Sequence, residues 1–163
     1  MSSESVLSAL FQRAMTHHEQ GRLAEAERGY REVAAHGYRV PEVKRLLAGL
    51  ADEDGRLDVA LRRWQEIAHT SPDDVAALSA VGSLLLRLGR PGEAVEAFTV
   101  AARKAPDDPD VAAALGVAQS DAGRQDDALA TVLAGSGAGP TSRCCAIACG
   151  RRRRRACRRG TCR

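Results

Sequence analysis

The chain has 163 residues, 44% of them hydrophobic and 3% aromatic, which is enough apolar content for a continuous core but too few rings for the pleated faces of sandwiches and barrels; an all-α fold is expected. The formal net charge of +3 hides a split, because nine arginines (Arg143, Arg151 to Arg155, Arg158, Arg159, Arg163) follow residue 142 with no acid among them, leaving 24 − 9 = 15 basic against 21 acidic side chains, or −6, for residues 1–142. All five cysteines (Cys144, Cys145, Cys149, Cys157, Cys162) share that tail, which excludes a disulfide scaffold or thiolate metal site from the acidic body.

No run reaches the roughly 18 apolar residues that span a bilayer. The opening MSSESVLSALFQRAMTHHEQ has no basic stretch followed by an apolar core, so a cytoplasmic location is expected.

Along the chain the body repeats itself. Gly-Arg occurs at 21–22, 55–56, 89–90 and 123–124, a step of 34 each time. The same step relates Ala14, Ala48, Gly82 and Gly116; Ala26, Ala60, Ala94 and Ala128; and the bulkier Tyr30, Trp64, Phe98 and Val132. Four parallel series in one register define four units over residues 7–134. In the third unit, Leu78, Val81, Gly82 and Leu85 recur at helical spacing, Gly89 stops the run, and Ala94, Val95, Phe98, Ala101 and Ala102 resume it. Each unit therefore reads as two amphipathic helices around a Gly turn. The small residues let the helices cross closely, with Phe98 filling the gap toward the next unit and Trp64 buried between units two and three. Between units, Ser71-Pro72-Asp73-Asp74 and Ala105-Pro106-Asp107-Asp108 combine a helix-stopping Pro with Asp suited to capping the following helix.

Residues 7–134 resemble four tandem tetratricopeptide repeats: the period, the small residue of the first helix, the turn Gly, the small-then-aromatic pair of the second helix, and Pro72 and Pro106 fit that pattern. Departures are Tyr38 in place of Pro, His17 and Ala51 in place of a large residue, and Lys44 and Ala112 where a bulky one is common. The resemblance implies a right-handed superhelical solenoid of antiparallel helix pairs, with first helices lining a concave groove and second helices forming the convex back. It implies a protein or peptide partner, with Phe11, Met15, His18, Arg45, Gly49, Asp52, Ser79, Ser83, Leu86, Ala113, Val117 and Ser120 lining the groove. Their spacing on each first helix keeps them on one face. The family's carboxylate clamp of Lys, Asn and Arg is absent, since Phe11, Met15, Leu46, Ala76 and Ala80 hold the matching places. An extended or helical peptide with apolar anchors and few charges suits this groove. HHEQGRLAEAERGYREV also resembles the opening repeats of bacterial sugar-, sulfo- and methyltransferases, so a noncatalytic targeting domain cut from such an enzyme is the alternative.

No catalytic, metal or cofactor site is expected. His17 and His18 point about 100° apart on a helix, without a second ligand four residues on, and His17 is expected to pack between helices. His36 and His69 sit at second-helix ends, where they suit the dipole. The segment 135–142 lacks the Lys and Gly spacing of a phosphate loop.

Residues 135–163 are expected to form a Gly-rich linker and an Arg/Cys-rich tail. Three readings stay open: a basic arm for nucleic acid or an anionic surface, a metal site whose cysteine spacing matches no paired pattern, and a frame-shifted translation, in keeping with 22 Arg against 2 Lys. Pro140 and Gly150 continue the 34-residue step, so a short helix near 142–149 that caps unit four is a further expectation, and oligomerisation through a weakly capped last repeat another.

Overall fold

The structure, a computed structural model, describes residues 3–135. Among these the ordered elements are helices: α1 Ser3–Glu19, α2 Leu23–Ala35, α3 Val40–Glu53, α4 Leu57–Thr70, α5 Val75–Arg87, α6 Pro91–Lys104, α7 Pro109–Asp121 and α8 Gln125–Gly135. Each packs on its neighbours in chain order, and α5 also touches α7, so the chain is an all-α solenoid of four helix pairs.

The Gly-Arg pairs build the turn inside each pair. Gly21, Gly55, Gly89 and Gly123 all have φ between +70° and +79°, which a residue with a Cβ adopts at a cost. In the first turn the amide of Gly21 donates to the carbonyl of His18 at 2.9 Å, and that of Arg22 to the carbonyl of His17 at 2.9 Å. These two bonds form a Schellman stop, and its geometry recurs at the other three turns. The carbonyl of Arg22 then accepts the first bond of α2, from Ala26 at 3.0 Å, so one residue closes one helix and opens the next. Between pairs, Asp74 caps α5 by accepting from the amide of Ala77, and Asp108 caps α7 by accepting from Asp110 and Val111.

Small residues set the crossings. A Cβ on Gly82 would lie 2.6 Å from the Phe98 ring, and one on Gly116 would lie 2.7 Å from Val132. In the first pair the roles change sides, since a Cβ on Gly29 would meet that of Ala14 at 2.8 Å. Phe98 thus fills the crossing of its own pair, and it also joins Leu115 and Ala118 of α7 in one buried cluster. That cluster runs from Ala51 to Ala118; a second gathers Phe11, Ala14, Ala26, Tyr30, Val33, Val43 and Leu50. Ala48, Ile67 and Ala77 form a third. Trp64 touches the first and third clusters and is half-buried, a correction to its expected full burial. Its small neighbours Ala48 and Ala77 cover part of a large ring and leave the remainder in solvent.

The sequence expectations for residues 136–163, including the cap near 142–149 and the Arg/Cys-rich arm, lie outside the described residues.

Candidate functional site

The first helices α1, α3 and α5 are tied to one another along the face expected to bind. His18 of α1 shares a hydrogen bond at 3.0 Å between its Nε2 and Oε2 of Glu53 on α3, and Asp52 of α3 is paired with Arg87 of α5. Both pairs are 35 residues apart, one more than the repeat, so they form successive rungs of a ladder. The ladder ends at Leu86, whose side chain has no charge to carry it on. Arg45 of α3 reaches Oδ2 of Asp74 at 2.5 Å, so the carboxylate that caps α5 also anchors α3. Three of the charged or polar groove residues, His18, Arg45 and Asp52, are therefore partly engaged within the array itself.

One expected groove residue is corrected. Phe11 is 3% exposed, which places it in the core and not on a binding surface. Its ring lies 5.9 Å from that of Tyr30 and 6.4 Å from that of Tyr38, and the Arg39 guanidinium sits 5.5 Å above it. The cause is local. Tyr38 stands where the family's Pro would end the repeat, and Arg39 caps α3 in a left-handed conformation with φ 46°; together they fold the connector over Phe11.

The other expected positions form a graded surface. Met15 is half-buried against the first-pair cluster. His18 also lies 3.3 Å from the Tyr30 hydroxyl through its Nδ1, and the Tyr30 phenol is pushed up by its burial and then by the charges of Glu19, Glu53 and Glu42. Gly49 has nothing within 4 Å of where a Cβ would project, so it opens the floor of the groove. Ser79 is half-buried and its Oγ is buried without a hydrogen-bond partner; Ser83 is exposed. Leu86 is half-buried, Ser120 likewise, and Ala113 and Val117 are exposed, Val117 at 54%.

A second charged centre, absent from the sequence reading, lies between the first two pairs. Glu27 of α2 is 8% exposed and accepts from Arg63 at 2.7 Å, Arg56 at 2.7 Å and Arg31 at 2.9 Å. Arg63 also donates to the Leu47 carbonyl at 2.5 Å, tying α4 to both α2 and α3. Burial alone pushes the Glu27 carboxyl up, but hydrogen bonds from Arg63 and Arg56, with the charge of Arg31, more than offset it and hold the group below its ordinary 4.5. The signal available in the sequence was the register: Glu27 occupies the place that Leu61 and Val95 hold in the next two units.

Lys44, one of the family departures, lines a cleft of 540 Å³ with Arg62, Gln65, Glu66, His69 and Thr70. The histidines show no ligand geometry: the Nδ1 of half-buried His17 is buried without a partner, and His36 and His69 are exposed at helix ends. Among the described residues no three His, Cys, Asp or Glu side chains converge as a metal site would require. None of the described helices is long and apolar enough to cross a membrane.

Helix pairs of this length, stacked in order with a Schellman Gly in each, define a helical-repeat protein. The tetratricopeptide-repeat family matches residues 11–74 and 45–109, and a second profile of the same description matches 85–144, so the chain belongs to that family. No curated protein matches in sequence. Solved structures similar in fold include MamA AMB-1 (19% identity, 86% of this chain and 78% of that one, TM-score 0.69) and a MamA RS-1 double mutant (17%, 82% and 75%, 0.73). Another is YrrB, described as a TPR protein with an unusual peptide-binding site (17%, 90% and 75%, 0.68).

Proposed function

We propose that this array is a noncatalytic scaffold that binds a peptide segment of a partner protein along α3, α5 and α7. Tetratricopeptide-repeat domains are protein-interaction modules. The observation that carries the reading here is the floor formed by Gly49, Ser83, Ala113 and Val117, open or exposed and flanked by the half-buried Met15, Ser79 and Leu86. Small residues admit a peptide backbone closely, and Leu86 and Val117 offer apolar anchorage. Arg45 and Asp52 stand beside it already paired to Asp74 and Arg87, so the ligand is expected to carry few charges and to bind with weak salt dependence. Phe11 is not part of the site.

The test is a photo-crosslinking residue placed at Ser83 and, separately, at Arg103 on α6. A partner captured from Ser83, and lost on Gly49→Arg or Val117→Asp, supports the groove. Capture from Arg103 that ignores both substitutions moves the site to the back of the solenoid.

A further inference from the structure

Lys44 breaks the repeat at a place the groove does not use. Its position is held by Leu10 and Leu78 in the first and third units, both half-buried, whereas Lys44 is exposed and carries its charged end into water. Beside it opens the 540 Å³ cleft between α3 and α4, where Arg62, Gln65, Glu66 and His69 share one face of α4 by helical spacing. A smaller niche of 160 Å³ adjoins this cleft at Lys44 and Thr70, with Val40, Pro41 and the buried Ile67 as its apolar wall. Lys44 stands about 100° round α3 from the groove residue Arg45, so the cleft opens off the concave face.

The cations of this cleft are unspent. Among the described residues neither Lys44 nor Arg62 has an ion-pair or hydrogen-bond partner, while their sequence neighbours Arg45 and Arg63 are held by Asp74 and Glu27. The other units do not repeat the combination. Arg62 is answered by Arg28 opposite Leu10 in the first unit and by Glu96 opposite Leu78 in the third, and the second lysine of the chain, Lys104, is paired with Asp73. Two free cations against the one carboxylate of Glu66 give this cleft a positive balance within an acidic body.

We propose that the cleft is a second binding site, which takes an extended acidic segment of a partner protein. An aliphatic side chain of the segment enters the niche on Ile67, a carboxylate beside it pairs with Lys44 at the seam, and a second carboxylate reaches Arg62. The spacing fits: Arg62 and Thr70 are eight residues apart, about 12 Å along α4, which roughly four extended residues cover. Glu66 lies between the two cations in sequence and in the cleft, where it accepts backbone N–H groups of the passing segment. A compact anion such as phosphate meets the same Glu66 and leaves the niche empty, so charge and apolar wall together favour a peptide. The groove ligand is expected to carry few charges, so the two sites take different segments.

Full-length protein labelled with ¹⁵N is titrated with acetyl-Leu-Asp-Gly-Glu-amide and with acetyl-Glu-Gly-Asp-Leu-amide, which present the same groups in the two chain directions. Signals are read at the cleft, because the tail arginines also attract acids. One of the peptides should shift the amides of Lys44, Arg62 and Thr70 saturably. Lys44→Met and Arg62→Gln, both at exposed positions, should each weaken its binding about two- to fivefold, as expected for exposed ion pairs. Replacing both carboxylates by amides, or Leu by Gly, should weaken it by at least as much, and salt raised from about 0.05 M to about 0.5 M should weaken it further. The proposal is overturned if neither peptide shifts the cleft, or if the amide version binds as well as the acid. It also falls if inorganic phosphate shifts the same amides as strongly, or if the peptides shift Ser83 and Val117 of the groove instead.

Discussion

Glu27 shows how a residue's register position and its chemistry can disagree and still be reconciled. An acid in an apolar position is tolerated because Arg56 and Arg63 reach it from the next pair, 29 and 36 residues away. Those separations hide the network from a reading of the sequence, where each arginine looks like one more solvated charge. With its pKa held below the ordinary carboxyl value in the fold, Glu27 stabilises the protein above the unfolded value, and the contribution is lost as pH falls through the folded one. At pH 7, Glu27→Gln should therefore cost about 1–3 kcal/mol, the typical loss for a charged hydrogen bond. Denaturant titrations of both proteins at pH 7 and at successively lower pH below the ordinary carboxyl value of 4.5 check this: the gap should narrow only in that acid range, and a gap independent of pH would mean that Glu27 acts through packing alone. The aromatic residues invert in a similar way. Phe11, expected on the surface, is core, and Trp64, expected in the core, is half-buried. Phe11→Ala should cost about 3–5 kcal/mol and Trp64→Ala less, about 1–3 kcal/mol for a partly covered ring. Melting temperatures in the reverse order would show the connector over Phe11 to be open in solution.

At the scale of the helices, almost everything was legible. The Gly-Arg step marked four turns, and each proved to be a Schellman stop joined to the start of the next helix. The Asp-Asp pairs marked the caps of α5 and α7. The connector after α2 was legible only in part: Gly37, at φ 73°, announces the end of α2, but the second left-handed residue, Arg39, has no glycine to mark it, and this is the reason the burial of Phe11 was missed. Groove membership followed from spacing, but whether a groove side chain stays available depended on partners in the neighbouring unit, such as Glu53 for His18 and Arg87 for Asp52. Two glycines separate the meanings of a small residue. Gly82→Ala drives a Cβ to 2.6 Å from the buried Phe98 ring and should destabilise by about 1–3 kcal/mol. Gly49→Ala, also within a helix but projecting into open space, should stabilise by about 0.5–1 kcal/mol. Denaturation midpoints that move the same way for both variants would contradict the crossing geometry of α5 and α6.

Across the whole molecule, stability in a solenoid is a sum of unit terms and nearest-neighbour interfaces, so a local change should be felt locally. The units here are unequal. The first pair is joined to the second by the Glu27 network and by a cluster holding Phe11, Tyr30 and Val43, while the middle pairs share the largest cluster. The last pair contributes Leu115 and Ala118 to that shared core, and α8 adds Ala128 as its buried side chain among the described residues. Leu115→Ala removes the largest side chain by which α7 grips α6 and should cost about 2–4 kcal/mol at that interface. In native-state hydrogen exchange, the amides of α7 and α8 should lose protection by roughly that free energy, while those of α1 to α3, three interfaces away, keep theirs. If the same substitution instead lowered protection by an equal amount in all eight helices, the array would be unfolding as one cooperative body, and the coupling through the central cluster would have to exceed the strength of any single interface within it.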